Sequence, residues 1–310
     1  MNFRRFAEVM LRVAALAAAL LFMSLGTLPG RAEPKWPLPE GMKSTEVNGY
    51  DMAYLESGAG APLVLVHGAL SDYRIWAAVA PEYSKRFRVI AVSLRHYYPE
   101  RWDGKGNDFS FEQHAADVAA FIKKLNLGKV HLVGHSRGGG VVVNVAKSYP
   151  EVIRTLVLAD ATGFETLLPD TPEDQKLATA SRDRIATLQK NLASGNVELA
   201  AQTFVDSLNV PGTWSKRTPA QKQRLFDNLA TAAQMGPTPP TSCEQVAKFD
   251  FTILLIHGEN SPKNFPAMSA AMRKCKPVAE PIVVPNAAHS MFVDNPIFFN
   301  TALLDFLSRD

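Results

Sequence analysis

The segment Leu132-Val133-Gly134-His135-Ser136-Arg137-Gly138-Gly139-Gly140 restricts the fold more than any other part of the chain. An apolar run leads into it and a helix-like stretch, residues 141–149, leads out. A serine between two glycines at such a junction reads as a sharp strand-to-helix turn, where neighbouring side chains would clash. The turn exposes the hydroxyl and points a helix N-terminus at it, which favours a developing negative charge. Such a chain needs a strand behind the serine and a helix in front of it.

Other strand-like runs fall at residues 50–55, 62–66, 88–92, 129–133, 155–159, 251–257 and 281–284. Several, such as Leu63-Val64-Leu65-Val66 and Ile253-Leu254-Leu255-Ile256, are short and continuously apolar. That is the texture of strands buried on both faces of a mainly parallel sheet. Between them, residues 111–125 set Ala115, Val118, Ile122 and Leu125 on one helical face, with Gly128 just beyond. The alternation predicts an α/β fold, a mostly parallel sheet flanked by helices. Residues 164–248 break the rhythm with helical patterns alone. Asp170-Thr171-Pro172 and Thr218-Pro219 are start signals there, a capping residue before a proline suited to the first turn. Insertions this long are often lids. The expected organisation is a core of residues 33–163 and 249–310 interrupted by a helical cap, 164–248.

Composition sorts the remaining classes. With 310 residues, 46% hydrophobic and 20% charged, the chain is globular, and its 19 Gly and 21 Pro follow no collagen-like period. The formal net charge of +3 would suit a nucleic-acid or membrane partner if it were spread over the fold. It is not: Arg4, Arg5, Arg12 and Arg31 against Glu8 account for all of it within residues 1–32. Those residues also carry the uncharged run 13–23 and the small-x-small Gly30-Arg31-Ala32, the pattern of a cleaved secretory signal peptide. The run is shorter than the roughly 20 apolar residues of a spanning helix, which argues against a stable membrane anchor. The expected location is periplasmic or secreted. In such an oxidising compartment Cys243 and Cys275 are expected to pair, closing a loop of about 30 residues.

Two further segments carry chemistry. Val66-His67-Gly68-Ala69 ends an early strand, and its turn can aim the Ala69 N–H at the point that the Arg137 N–H faces. His67 itself reads as a shaper of that loop. Pro285-Asn286-Ala287-Ala288-His289-Ser290-Met291 follows the last strand and precedes a helix over 295–307. A serine hydroxyl needs an imidazole to accept its proton, and His289 stands where that base belongs. The other histidines read as scaffold or surface groups, with His96 also able to line a pocket.

From Gly49 to Leu307 the chain resembles the α/β-hydrolase superfamily, in the subgroup with a helical cap. His67-Gly68, Gly134-His135-Ser136-Arg137-Gly138 and Ala288-His289-Ser290 carry the resemblance. It implies Ser136 as nucleophile, His289 as base, and an oxyanion hole from Ala69 and Arg137. The triad acid departs from the common pattern. Family members often place an Asp in Gly-x-x-Asp after the seventh strand, where this chain has Gly258-Glu259-Asn260-Ser261. Relatives such as haloalkane dehalogenases carry it after the sixth strand, which makes Asp160 the first choice and Glu259 the second. Asp294 reads as the N-cap of the last helix.

The resemblance implies acyl transfer to water: a serine hydrolase acting on a carboxylic ester or lactone of a small, apolar molecule. Carbon–carbon bond hydrolases and cofactor-free haloperoxidases of the same fold remain open, as does a non-catalytic binder. Phe164, Trp214 and Met235 are expected to line the substrate pocket, and Arg95 or Arg137 would suit an anionic group on the substrate. No metal-ligand spacing, phosphate loop or dinucleotide fingerprint occurs, so no cofactor and no nucleic-acid partner are expected. The sequence sets no oligomeric state.

Overall fold

The structure, a computed structural model, describes residues 36–309, so the expected signal peptide lies outside the described residues. Eight strands form one sheet: β1 (Met42–Val47), β2 (Tyr50–Ser57), β3 (Ala61–Val66), β4 (Phe87–Val92), β5 (Val130–His135), β6 (Ile153–Ala159), β7 (Thr252–Gly258) and β8 (Ile282–Val284). Their order is β1-β2-β4-β3-β5-β6-β7-β8. β1 and β2 pair antiparallel, as do β2 and β4, and every later pairing is parallel. The expected strands are all present with bounds shifted by one or two residues, and the last, expected over 281–284, is shorter. β1 escaped the sequence reading because it is an edge strand with one buried face. Met42, Ser44 and Val47 are buried while Lys43 is exposed, so no continuous apolar run marks it.

Helices cover both faces. Along β3, Val64 and Val66 enter one core cluster and Leu63 and Leu65 the other, as successive strand residues must. The helices are α1 (Ala80–Tyr83), α2 (Phe111–Lys124), α3 (Arg137–Ser148), α4 (Pro172–Ala193), α5 (Val197–Leu208), α6 (Thr213–Lys216), α7 (Pro219–Asp227), α8 (Cys243–Ala247), α9 (Asn264–Cys275), α10 (Met291–Asp294) and α11 (Pro296–Leu307). Five of them, α4 to α8, lie between β6 and β7. Both proline start signals act there: the Thr171 hydroxyl accepts from the Asp174 N–H, and Thr218 forms a reciprocal box with Gln221. The last helix starts differently from the sequence reading. Asn295 caps it, while the Asp294 carboxylate accepts the Ala288 N–H at 2.9 Å. Cys243 and Cys275 form a disulfide with Cα atoms 4.8 Å apart, tying α8 to the end of α9.

The chain order reverses direction across the sheet between β3 and β5. In an open parallel sheet that is where the loops at the carboxyl ends part and leave a crevice. Residues 67–69 follow β3, Ser136 follows β5, Asp160 follows β6, Ser261 lies beyond β7 and His289 beyond β8. All of them are delivered to one edge.

Candidate active site

Ser136 occupies the turn between β5 and α3 with φ 57° and ψ −123°, a conformation costing a non-glycine residue on the order of 1–3 kcal/mol. The surroundings enforce it. Its backbone N–H donates to Ala159 O at 3.0 Å, and its carbonyl accepts from Gly139 N at 2.9 Å and Thr162 N at 3.2 Å. Two glycines make room. A Cβ on Gly138 would stand 2.3 Å from the His67 carbonyl, and one on Gly68 would stand 2.9 Å from the Ser136 Cβ. The Gly68 turn therefore lies directly against the serine. No hydrogen bond occupies the backbone N–H of Ala69 or of Arg137 among the described residues. His67 shapes this loop as expected, with Nδ1 2.9 Å from Gly68 O and Nε2 accepting the Leu94 N–H at 3.1 Å.

His289 is 4% exposed and Asp160 2%. The imidazole donates from Nδ1 to Asp160 Oδ2 at 2.9 Å, and the Ser261 hydroxyl donates to the same oxygen at 2.6 Å. His135 Nε2 donates to the His289 carbonyl at 2.9 Å, and the Phe265 ring stacks on the imidazole at 4.7 Å. Burial first, then the Arg184 and Arg217 guanidinium groups, push the His289 pKa down. The ring therefore rests neutral, with Nε2 free of any hydrogen bond among the described residues. Burial pushes the Asp160 carboxyl up, against the Ser261 hydrogen bond and the charge of His257, which pull it down. Glu259 is exposed and accepts the Asn286 N–H at 2.8 Å, away from His289.

Two chambers meet at Ser136. The larger, about 400 Å³, is lined by Ala69, Arg137, Phe111, Ile185, Met235 and Phe265 among others. The smaller, about 50 Å³, is bordered by Gly68, Ser71, Asn209, Arg217, Arg224 and His289. Ser136, Ala69, Phe204 and Leu208 border both. The helices between β6 and β7 thus supply much of the wall.

Of the residues expected to line the pocket, Met235 does. Phe164 and Trp214 do not. Phe164 is buried in the core, and the Trp214 indole donates to Glu198 at 2.7 Å while its ring packs on Phe226. A helical aromatic faces whichever side buries most area, and for Trp214 that is the packing against Phe226. Arg95 is also excluded from an anion site. It is committed to Asp117 at 2.7 Å and Asp108 at 3.0 Å, and His96 sits between Glu100 and Asp108. The Arg137 side chain is buried, 3.0 Å from His114 Nδ1 and over the faces of Phe109 and Phe111. Sequence reading missed the Ser261 hydrogen bond and the arginines of the chamber walls. The signal for Ser261 was its place in the common acid position. Among the described residues no group of three or more His, Cys, Asp or Glu side chains could hold a metal ion.

Comparison with known proteins agrees with this architecture. A 2-hydroxymuconate semialdehyde hydrolase from Pseudomonas sp. strain CF600 is 32% identical over 196 residues, 57% of this chain and 65% of that protein. Matches to the curated relatives span from 36% to 65% of those proteins' lengths. A thermophilic esterase structure from Thermogutta terrifontis has a TM-score of 0.65 at 23% identity, covering 86% of this chain and 96% of that one. An enol-lactonase from Burkholderia xenovorans LB400 gives a TM-score of 0.65 at 17% identity, covering 86% and 100%. At such identities the likeness speaks for the fold. Residues 61–296 match the family profile described as the alpha/beta hydrolase fold, and with the sheet order and the strained serine turn this identifies the chain as a member of the alpha/beta hydrolase fold family.

Proposed function

We propose that the protein is an exported serine hydrolase that cleaves carboxylic esters or lactones of small molecules through an acyl-enzyme. The observation that carries the reading is the strained Ser136 turn beside a neutral, buried His289 held by Asp160. Ser136 Oγ attacks the carbonyl as His289 Nε2 takes its proton. The Ala69 and Arg137 N–H groups receive the oxyanion, a contribution of roughly 3–4 kcal/mol per donor in comparable sites. Asp160 holds the imidazole and its transient charge. His289 then returns the proton to the leaving oxygen, and water releases the acyl group by the reverse sequence. Residues 164–248 act as a cap over the larger chamber, whose apolar walls suit an acyl or aryl group.

The esterase and enol-lactonase likenesses support ester chemistry. The similarity to a 2-hydroxymuconate semialdehyde hydrolase favours, as a second reading, carbon–carbon bond hydrolysis by the same serine. A fluorophosphonate probe is expected to label the chain from Glu33 onward at Ser136, and Ser136→Ala to abolish labelling. Absence of label on folded protein would return the chain to the binders. Labelling with no turnover across a panel of esters and lactones would leave the carbon–carbon hydrolase.

A further inference from the structure

Several arginines of the scaffold are paired with carboxylates, though among the described residues Arg137 and Arg184 beside the larger chamber are not. Arg74 meets Asp72 and Asp227 at 2.7 Å, Arg95 meets Asp117, and Arg88 meets Glu56. Arg217 and Arg224, both half-buried, are further exceptions. They border the small chamber beside Ser136 and His289, and neither forms an ion pair among the described residues. The carboxylates nearest them in charge are already engaged. Asp72 accepts from Arg74 and Asn228, Asp206 from the Trp214 N–H and Asp294 from the Ala288 N–H. The two guanidinium groups also repel: burial first, then Arg224, lowers the Arg217 pKa to about 10. Two like charges at a partly desolvated wall, acted on by Asp72, Asp206 and Asp294 but ion-paired to none of them, are stabilised further when a ligand supplies an anion. Ser71, Asn209 and Ser290 lie on the remaining wall among apolar residues such as Leu70, Ile75, Phe204 and Leu225. About 50 Å³ accommodates a group of carboxylate size.

From this arrangement we infer that the small chamber is a carboxylate subsite, in which Arg217 and Arg224 hold an anionic end of the substrate while its apolar limb fills the larger chamber. The substrate class is then an ester or lactone bearing a free carboxylate on one side of the scissile carbonyl. This rests on Ser136 as the reacting group. The larger chamber, where Phe111, Ile185, Phe204, Met235 and Phe265 stand beside Glu165 and Arg184, takes the apolar limb.

Binding in the Ser136→Ala protein tests the subsite, because no turnover by that serine is possible whatever the reaction. Monobenzyl succinate and benzyl butanoate differ only in a carboxylate for a methyl at the acyl end. Calorimetry is expected to give the hemiester a Kd about tenfold lower, of the size expected for charge-assisted hydrogen bonds. Arg217→Gln and Arg224→Gln should each bring the ratio close to one, and Arg224→Lys should keep an intermediate preference. With the arginines intact, the ratio should shrink as salt rises from about 50 to 500 mM, as screening demands. Equal affinities, no binding of the hemiester, or a preference untouched by both glutamine variants and by salt would overturn the subsite. Failure of the ester reading would look different: the hemiester would bind preferentially, while protein with Ser136 intact hydrolysed neither compound.

Discussion

Asp160 Oδ2 accepts both the His289 Nδ1 and the Ser261 hydroxyl, while Oδ1 has no partner among the described residues. One oxygen therefore orients the base, and the serine fixes that oxygen. Asp160→Asn should lower kcat by roughly 10³–10⁴-fold, because the amide favours the wrong tautomer. Glu259→Gln should stay within about twofold when kcat is measured on the same ester, since its carboxylate serves the Asn286 N–H. Ser261 lies close enough to exchange roles, so Asp160→Asn/Ser261→Asp should recover at least about tenfold over Asp160→Asn alone. Acidity gives a further check. A base acts when unprotonated, and a lowered His289 pKa keeps it so on the acid side of an ordinary imidazole. The acid limb of kcat/KM should fall below about pH 6.5, and Arg184→Gln should move it upward. Ser136 and His289 were legible because spacing around a turn leaves few alternatives. Trp214 was not: hydrophobic periodicity says that a helical aromatic is buried but not against which neighbour, and its bond to Glu198 spans 16 residues.

At the scale of elements, runs such as Leu63-Val64-Leu65-Val66 announced themselves because a strand buried on both faces has no polar side to interrupt it. β1 has such a side, and only its pairing from Met42↔Leu55 to Val47↔Tyr50 reveals it. The start of α3 was placed late in the sequence because three glycines disfavour helix. Close approach to β3 and to Ala161 overrides that preference. The disulfide joins α8, late in the inserted helices, to α9 of the following unit. Cys243→Ser/Cys275→Ser should cost about 3–4 kcal/mol by loop-closure entropy, lowering the thermal midpoint by on the order of 10 °C in calorimetry. A midpoint unchanged by the double substitution would place the loop's order in packing alone.

For the whole molecule, charge is the property most changed by position. The excess of +3 belongs to residues 1–32, and residues 33–310 carry equal numbers of basic and acidic side chains. If that segment is removed on export, N-terminal sequencing of the secreted protein should begin near Glu33. The arginines of the small chamber were invisible at this scale, because a balanced total says nothing about where two cations are left without an ion pair. One feature of the sheet bears on when the protein becomes able to react. Ser136, Asp160 and His289 hang from three different strands, and the base is separated from its acid by 129 residues. A ribosome must nearly finish the polypeptide before those groups can meet. A nascent chain is chemically silent at this site for that reason.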